Sequence, residues 1–267
     1  MRAPAQRTAA QTARRRPGFV TLDRALSKLG ILSRSQARTA IRDGRVRVDG
    51  RVVSDPATLV HPARASIVVD GQERRPAAWR TILFNKPRGV VTTSRDPEGR
   101  RTVYDVIGDE ARGLVCVGRL DLATSGLLLL TSDTQLANFI TDPRNAVPRV
   151  YIATVRGRLD DSDVATLTRG VDSGRDRLRA ESVVLRKVSA KESHVTVELR
   201  EGRNREVRRL FDAVGHEAIR LKRIRLGGLE LGSLEPGRWR DVSIEEIGAA
   251  FGGYQLRRSP VSIRSGR

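Results

Sequence analysis

Apolar residues recur at helical spacing near the start of the chain. Thr21 is a suitable N-cap for a first helix that Gly30 ends, and Ser33 is a suitable N-cap for a second helix continuing to about residue 43. The apolar positions of the first helix lie three and four residues apart, at Leu22, Ala25, Leu26 and Leu29. Both segments are therefore predicted to be short amphipathic helices.

A β-hairpin is predicted directly after these helices. Two short runs of alternating apolar and polar residues, 46–48 and 51–53, flank Asp49-Gly50. Asp-Gly between two such runs is a strong hairpin signal. The helices and the hairpin together predict a small domain over residues 19–71, which a short linker follows.

The longer second part of the chain mixes strands with helices. Strands are predicted at residues 81–84, 113–117, 127–131, 151–156 and 194–199, and helices at 134–140, 162–169 and 205–214. Strands and helices in mixed order, without an internal repeat, predict a second domain with a mixed sheet over residues 79–250. The fold class expected for the whole chain is α+β.

The charge of the chain points to a polyanionic partner. Fifty basic residues stand against 31 acidic residues, which gives a net charge of +19, and basic side chains that contact phosphates release counterions from a nucleic acid. Of the basic residues 45 are arginines; a GC-rich genome favours arginine, but the guanidinium also suits bidentate phosphate contacts. Five arginines in residues 1–18 and four in 254–267 predict a disordered basic arm and a basic tail.

Composition argues against several other classes of protein. The single cysteine, Cys116, excludes an intramolecular disulfide, and the histidines show no metal-ligand spacing. The longest apolar run, residues 127–130, is too short to span a bilayer, and no apolar segment follows the N-terminal arginines as in a secretory signal. We expect a cytoplasmic monomer that needs neither a metal nor a cofactor and contacts no membrane.

Two polar clusters are candidates for a functional site. Asp121, with Arg119 beside it, lies in a loop between two predicted strands, where a rigid scaffold can present a carboxylate to a ligand. The alternative is that the Asp121 side chain only forms an Asx turn. Arg203, Arg205 and Arg208 crowd the start of a predicted helix, where cations oppose the helix dipole and indicate a bound anion nearby.

Three weaker signals each have a structural alternative. Lys86 lies in a Lys-Pro turn that suits either substrate contact or an ordinary surface turn. Tyr151 suits either core packing or a platform for a flipped base. Positively charged side chains recur every four residues on the second helix without an acidic residue among them, which favours RNA contact over a solvated face; they are Arg34, Arg38 and Arg42.

The order and wording of these segments resemble known proteins. Residues 22–26, 33–37 and 44–50 resemble the ribosomal-protein-S-four-like RNA-binding module that also occurs in tyrosyl-tRNA synthetases. Residues 85–92, Gly118-Arg119-Leu120-Asp121 through Thr131, Tyr151 and residues 201–209 resemble the RsuA-like branch of the pseudouridine synthases, which commonly carries that module in front. Residues 85–92 together with 100–105 look more like the enzymes of the large ribosomal subunit.

This resemblance implies a function and a role for individual residues. It implies isomerisation of a uridine in ribosomal RNA, or in a ribosome assembly intermediate, without a cofactor. Asp121 matches the catalytic aspartate, Tyr151 the tyrosine that packs on the target base, and Arg208 the basic partner of the aspartate. Glu206 departs from the glutamine that is frequent in the wider superfamily.

The reaction moves uracil from a nitrogen bond to a carbon bond with the same ribose. Asp121 is able to add to the base, attack the sugar or remove a sugar proton. The sequence does not distinguish among these three routes. A noncatalytic RNA-binding or ribosome-assembly protein is the main alternative, because it needs the basic module but not Asp121. A base-excising glycosidase is a further alternative, but it usually needs a second carboxylate.

Overall fold

The computed structural model describes residues 18–29, 31–32, 34–62, 64–73, 79–174, 176–252 and 254. The chain divides into two compact units, Met1–Trp79 and Arg80–Arg267, and each has its own hydrophobic core. The predicted basic arm and tail lie almost entirely outside the described residues, as do Gly30 and Ser33, the predicted end of the first helix and N-cap of the second.

The described part of the N-terminal unit contains two helices and six short strands. They are β1 (Val20–Thr21), α1 (Leu22–Lys28), α2 (Arg34–Arg42), β2 (Val46–Val48), β3 (Arg51–Val52), β4 (Leu59–Val60), β5 (Ile67–Val69) and β6 (Gln72–Glu73). One sheet has the strand order β3-β2-β5-β6, and β1 pairs with β4. The predicted hairpin is confirmed, because Asp49 (φ 49°) and Gly50 (φ 81°) both adopt the positive φ of a type I′ turn between β2 and β3.

The apolar stripe read from the sequence forms the core of this unit. Leu22 and Leu26 of α1 and Ile41 of α2 are fully buried. Thr21 occupies the N-cap position of α1 as predicted, but its hydroxyl donates to the Asp23 carboxylate (2.5 Å) and makes no cap hydrogen bond to the helix backbone.

The arginines of α2 do have an acidic neighbour, so that part of the prediction was wrong. Asp23 on α1 is only 4% exposed, and its carboxylate accepts hydrogen bonds from Arg38 (2.9 Å) and Arg34 (3.5 Å). The acid comes from the adjacent helix, which a pattern read along α2 alone does not contain. Arg42 is exposed and forms no ion pair with any described residue.

The second unit is built on one large mixed sheet. The strands of this unit are β7 (Thr81–Lys86), β8 (Val115–Cys116), β9 (Thr124–Thr131), β10 (Arg149–Arg156), β11 (Val171–Ser173), β12 (Asp176–Leu178), β13 (Ser182–Val188), β14 (Glu192–Leu199), β15 (Ala218–Leu226), β16 (Leu229–Glu230) and β17 (Trp239–Asp241). Of these, β11 and β12 pair with each other in a separate two-stranded sheet. The main path runs β13-β14-β10-β15-β9-β7-β17, with β8 and β16 attached to β9 and β15. The pair β15–β9 is parallel, whereas the other pairs are antiparallel.

Five helices accompany this sheet in the described residues. They are α3 (Val103–Ile107), α4 (Thr134–Thr141), α5 (Asp161–Arg169), α6 (Glu206–Asp212) and α7 (Ile244–Ala250), with 3-10 turns at Gly108–Ala111 and Pro143–Asn145. The predicted helix at 205–214 begins one residue later than expected, because Arg205 adopts a left-handed φ of 49°. No helix in the described residues is long and apolar enough to cross a membrane.

The parallel pair at the centre of the sheet brings two backbones unusually close together. Gly126 of β9 lies opposite Arg223 of β15, with a φ of 104°. A Cβ atom at this glycine would lie 2.2 Å from the Arg223 carbonyl oxygen, so only glycine fits. This close approach places the loop before β9, which carries Asp121, beside the side chains of β15.

Candidate functional site

A cavity of about 250 Å³ opens where the loop before β9, the faces of β10 and β15 and the start of α6 meet. Six of the predicted site residues line it: Arg119, Asp121, Tyr151, Arg203, Arg205 and Arg208. Arg34, Arg38 and Arg42 belong to the N-terminal unit, and Lys86 does not line the cavity. Residues separated by almost 90 positions in the sequence therefore share one site.

The Asp121 carboxylate is unengaged within the described part of the chain. The Asp121 carbonyl accepts a hydrogen bond from the Thr124 N–H (3.0 Å), but the side chain takes part in no hydrogen bond or ion pair between described residues. The Asx-turn alternative requires a hydrogen bond to this carboxylate, and it is therefore not what the structure shows. A half-buried carboxylate facing a cavity is available to a ligand.

Lys86 holds the backbone of the loop that carries Asp121 and does not line the cavity. This position corrects the expected contact between Lys86 and the substrate. The side chain is 0% exposed. Its ammonium donates to the carbonyl oxygens of Thr124 (2.9 Å), Pro87 (3.1 Å) and Asp121 (3.2 Å). Burial lowers the pKa of Lys86 to about 8, and the negative charge of Asp121 opposes that shift.

Tyr151 forms one wall of the cavity. It lies on β10, only 8% exposed, and its strand neighbours are Val197 of β14 and Arg223 of β15. Ala153 and Val155, which alternate with it on the same face, are fully buried. The ring is therefore fixed by the core at one end of a buried stripe while still bordering the cavity, an arrangement that suits stacking on a planar ligand.

Exposed arginines surround the opening of the cavity near α6. Arg205 precedes this helix in a left-handed conformation that is uncommon outside glycine, and backbone strain of this kind clusters at functional sites. Arg203 is partly neutralised by Glu201 and by Asp176 (3.3 Å). Arg119 is also exposed.

Glu206 holds the turn that leads into α6. Its carboxylate accepts a hydrogen bond from the Arg203 backbone N–H (3.0 Å). Burial raises the pKa of Glu206, and the hydrogen bond from Arg203 opposes that shift only in part. The residue thus has a local structural role at the wall of the cavity.

Arg208 approaches Asp121 without forming a direct ion pair. Its guanidinium donates to the carbonyl oxygens of Ala218 and Ala123 (3.4 Å), and no described acid lies within ion-pair distance of it. Burial lowers the pKa of Arg208, the charge of Arg205 lowers it further, and the charge of Asp121 acts in the opposite direction. The expected ion pair between Arg208 and Asp121 is therefore not formed, and the two charges influence each other only at longer range.

Two arginines of the cavity were missed by the sequence analysis. Arg149, on the same face of β10 as Tyr151, donates to the carbonyl oxygens of Val147 (2.7 Å) and Ile140 (2.9 Å). Arg223 lies opposite Tyr151 on β15. An arginine two positions from a buried residue of a strand was the available signal, because side chains two apart share a face.

No cluster of three potential metal ligands occurs among the described residues.

Comparison with known proteins assigns both units. The model of the RNA pseudouridylate synthase family matches residues 80–213, and that of the S4 domain matches residues 20–63. An uncharacterised RNA pseudouridine synthase of Aquifex aeolicus is 36% identical, over 90% of this chain and 97% of its own length. The ribosomal large subunit pseudouridine synthase B of Bacillus subtilis is 33% identical, over 85% of this chain and 93% of its own length.

A solved structure agrees with these relatives. The crystal structure of a pseudouridylate synthase superposes with a TM-score of 0.60 at 27% identity, over 85% of this chain and 98% of that one. The mixed sheet and the small domain in front of it are thus shared with proteins of one family. The chain belongs to the RNA pseudouridine synthase family and carries an S4 domain at its N-terminal end.

Proposed function

We propose that this protein isomerises one specific uridine of large-subunit ribosomal RNA to pseudouridine, with Asp121 as the catalytic carboxylate. The observation that carries the proposal is the unengaged Asp121 carboxylate in a cavity with Tyr151 and several arginines. Relatives named as large-subunit synthases, from Bacillus subtilis and Yersinia pestis, support the choice of substrate. The proposal includes a cytoplasmic monomer that acts without a cofactor on ribosomal RNA or an assembly intermediate.

The proposed reaction is balanced within the nucleotide. The bond between uracil nitrogen 1 and the ribose carbon breaks, the base turns, and a bond forms between uracil carbon 5 and the same ribose carbon. Carbon 5 loses its hydrogen as a proton, and nitrogen 1 gains a proton. Asp121 acts by adding to the base, attacking the sugar or removing a sugar proton, and each route requires the ionised carboxylate.

The cavity supplies the remaining requirements of this reaction. The target base has to leave its stack, which costs a few kcal/mol, and Tyr151 offers a surface on which the base stacks. Arg119, Arg203 and Arg205 contact the RNA backbone at the opening, and Arg208 contributes positive charge next to Asp121. In the S4 domain, Arg42 contacts the RNA backbone, and so do the exposed parts of Arg34 and Arg38, which are paired with Asp23.

A hydrogen-release assay tests the reaction and its substrate together. Unmodified large-subunit and small-subunit ribosomal RNA, each labelled with tritium at uracil carbon 5, are incubated separately with the protein. We expect release of one tritium per large-subunit RNA and none from the small-subunit RNA. Release from the small-subunit RNA alone overturns the substrate assignment. Binding without release from either RNA supports the noncatalytic alternative, and free uracil supports base excision.

A further inference from the structure

Three polar groups in the wall of the cavity have no partner among the described residues. They are the Thr124 hydroxyl, the Arg208 Nε and the Arg223 Nη2, and all three atoms are buried. Buried donors in proteins are almost always hydrogen-bonded. Three of them in one cavity point to a ligand that supplies acceptors there.

Arg223 is the most constrained of the three. The residue is 4% exposed, and its Nε donates to the Leu127 carbonyl oxygen (2.7 Å). This hydrogen bond fixes the plane of the guanidinium, so the direction of the free Nη2 is also fixed. No described acid forms an ion pair with Arg223, and a buried cation without a partner is costly.

The position of Arg223 matches the base of a bound nucleotide better than its phosphate. Arg223 is the strand neighbour of Tyr151, so its guanidinium lies at the edge of a ligand stacked on that ring. The arginines available to phosphates, Arg119 and Arg205, are exposed at the opening. A buried donor beside a stacking platform faces the polar edge of a flipped base.

We propose that the Arg223 Nη2 donates a hydrogen bond to a carbonyl oxygen of the target uracil and so selects uracil over cytosine. This inference rests on the proposed function. Uracil carries carbonyl groups at positions 2 and 4, and a half-turn about the axis through nitrogen 3 and carbon 6 exchanges them as it exchanges nitrogen 1 and carbon 5. One fixed donor therefore serves the base before and after the turn. Cytosine has an amino group at position 4, which leaves the donor opposed in one of the two orientations.

Variants of Arg223 and thio-substituted RNA test this contact together. Tritium release is measured for wild type, Arg223→Met and Arg223→Lys on RNA containing uridine, 2-thiouridine or 4-thiouridine, each labelled at carbon 5. On uridine RNA we expect Arg223→Met to lower kcat/KM by roughly 10- to 100-fold, as for a hydrogen bond to a charged donor. Arg223→Lys is expected to lie between, because an ammonium cannot hold the Leu127 carbonyl and the base in the same planar geometry.

The thio-substituted RNA separates a direct contact from a structural role. Sulfur is a weaker acceptor than oxygen, so on at least one thio RNA the additional loss caused by Arg223→Met is expected to shrink to about 3-fold or less, as in a double-mutant cycle. A residue that only supports β15 would give the same loss on all three RNAs, and that result overturns the inference. If Arg223→Met does not fold, as judged by circular dichroism, the Arg223→Lys series decides in the same way.

Arg220→Met is the matched control, because Arg220 lies on the same strand and is exposed. We expect it to retain the wild-type rate, and equal rates for Arg220→Met and Arg223→Met on uridine RNA contradict the inference. An absence of release by the wild-type protein on uridine RNA is a different result. It refutes the proposed function itself, and with it the substrate on which this inference depends.

Discussion

Lys86 shows how a buried cation holds the loop of the proposed catalytic carboxylate, Asp121. Its ammonium gathers three backbone carbonyl oxygens, including those of Asp121 and Thr124. A lysine in this position is well hydrogen-bonded but poorly solvated, which is why burial lowers its pKa to about 8. The charge state of Lys86 therefore contributes to the pH dependence of stability.

We predict that this contribution increases with pH. The pKa of Lys86 is lower in the folded protein than in the unfolded chain, so the folded state loses the proton first and is favoured as the pH rises above about 8. Between pH 7.5 and 9.5, the unfolding free energy of wild type relative to Lys86→Met is expected to rise by about 1–2 kcal/mol. Urea unfolding of both proteins at each pH measures the difference, and a constant difference contradicts the assignment.

The residues of the site differ in how readily they can be predicted from the sequence. Asp121 was identified because its motif is distinctive, whereas Tyr151 alone was a weak signal and was identified through the resemblance to the family. Arg149 and Arg223 were not identified, because neither lies in a predicted strand and so neither was placed on the same face as Tyr151. The pairing of β10 with β15 brings both residues into the wall of the cavity.

At the scale of single elements, the start of α6 depends on a buried carboxylate. Glu206 caps the turn by accepting from the Arg203 N–H, and burial raises the pKa of its side chain. A glutamine preserves the acceptor oxygen and removes the charge. The two residue types therefore differ in the cost of burial more than in geometry.

We predict that Glu206→Gln keeps tritium release close to wild type and is more stable at neutral pH. Because the pKa of Glu206 is raised on folding, its favourable contribution is lost as the pH rises through the folded-state pKa. The variant should therefore be more stable than wild type at pH 7.5 and similar to it at pH 4, as measured by urea unfolding. A variant that is less stable at pH 7.5 shows that the ionised carboxylate is required.

The arginines of α2 separate into a paired and an unpaired kind. The carboxylate of Asp23 is buried between α1 and α2, where it pairs with Arg38. Burial acts to raise the pKa of Asp23, but hydrogen bonds from Thr21 and Arg38 outweigh burial and lower it. Arg38 therefore stabilises the fold of the domain and also adds positive charge to its surface, whereas Arg42 adds positive charge only.

We predict that Arg38→Gln lowers the unfolding free energy by about 1 kcal/mol, while Arg42→Gln changes it by less than about 0.5 kcal/mol. Both variants should bind RNA more weakly, since each removes one cation. The stability difference between them should vanish as the pH falls through the lowered pKa of Asp23, where the carboxylate becomes protonated. Equal stabilities at pH 7 contradict the structural role of Arg38.

For the whole molecule, the positive charge is far larger than the cavity needs. The net charge is +19, and five arginines without an acidic residue occupy residues 1–18. Counterion release makes the affinity for a nucleic acid depend on the number of such cations that reach phosphates. We therefore expect the arginines of residues 1–18 to contribute to RNA binding.

We predict that deletion of residues 1–18 lowers the affinity for RNA, makes that affinity less dependent on the salt concentration, and leaves kcat unchanged. If all five arginines contact phosphates, the slope of log affinity against log salt becomes smaller by about 4. Affinities for ribosomal RNA at several salt concentrations, with and without the arm, give the slopes. Identical slopes indicate that the arm does not contact the RNA.

The elements that were predicted lie within a few residues of those in the structure, whereas α3, α7 and β15 were not predicted, and neither was the arrangement of the sheet. The hairpin at Asp49-Gly50 follows from turn chemistry, and the helices follow from apolar spacing. The parallel pairing of β9 with β15 joins segments almost one hundred residues apart, and the requirement for Gly126 appears only when those backbones meet. The cavity depends on such long-range contacts, which local patterns do not encode.

The most direct test of the account compares Asp121→Asn with wild type in the release of tritium from carbon 5 of large-subunit ribosomal RNA. Asparagine keeps the size of the side chain and removes the charge, and Asp109→Asn is a matched control at an exposed acid of the same unit. We expect Asp121→Asn to bind RNA normally and to release tritium at least about 10²-fold more slowly, with Asp109→Asn unchanged. Release by Asp121→Asn at the wild-type rate would contradict the assignment of Asp121 as the catalytic carboxylate.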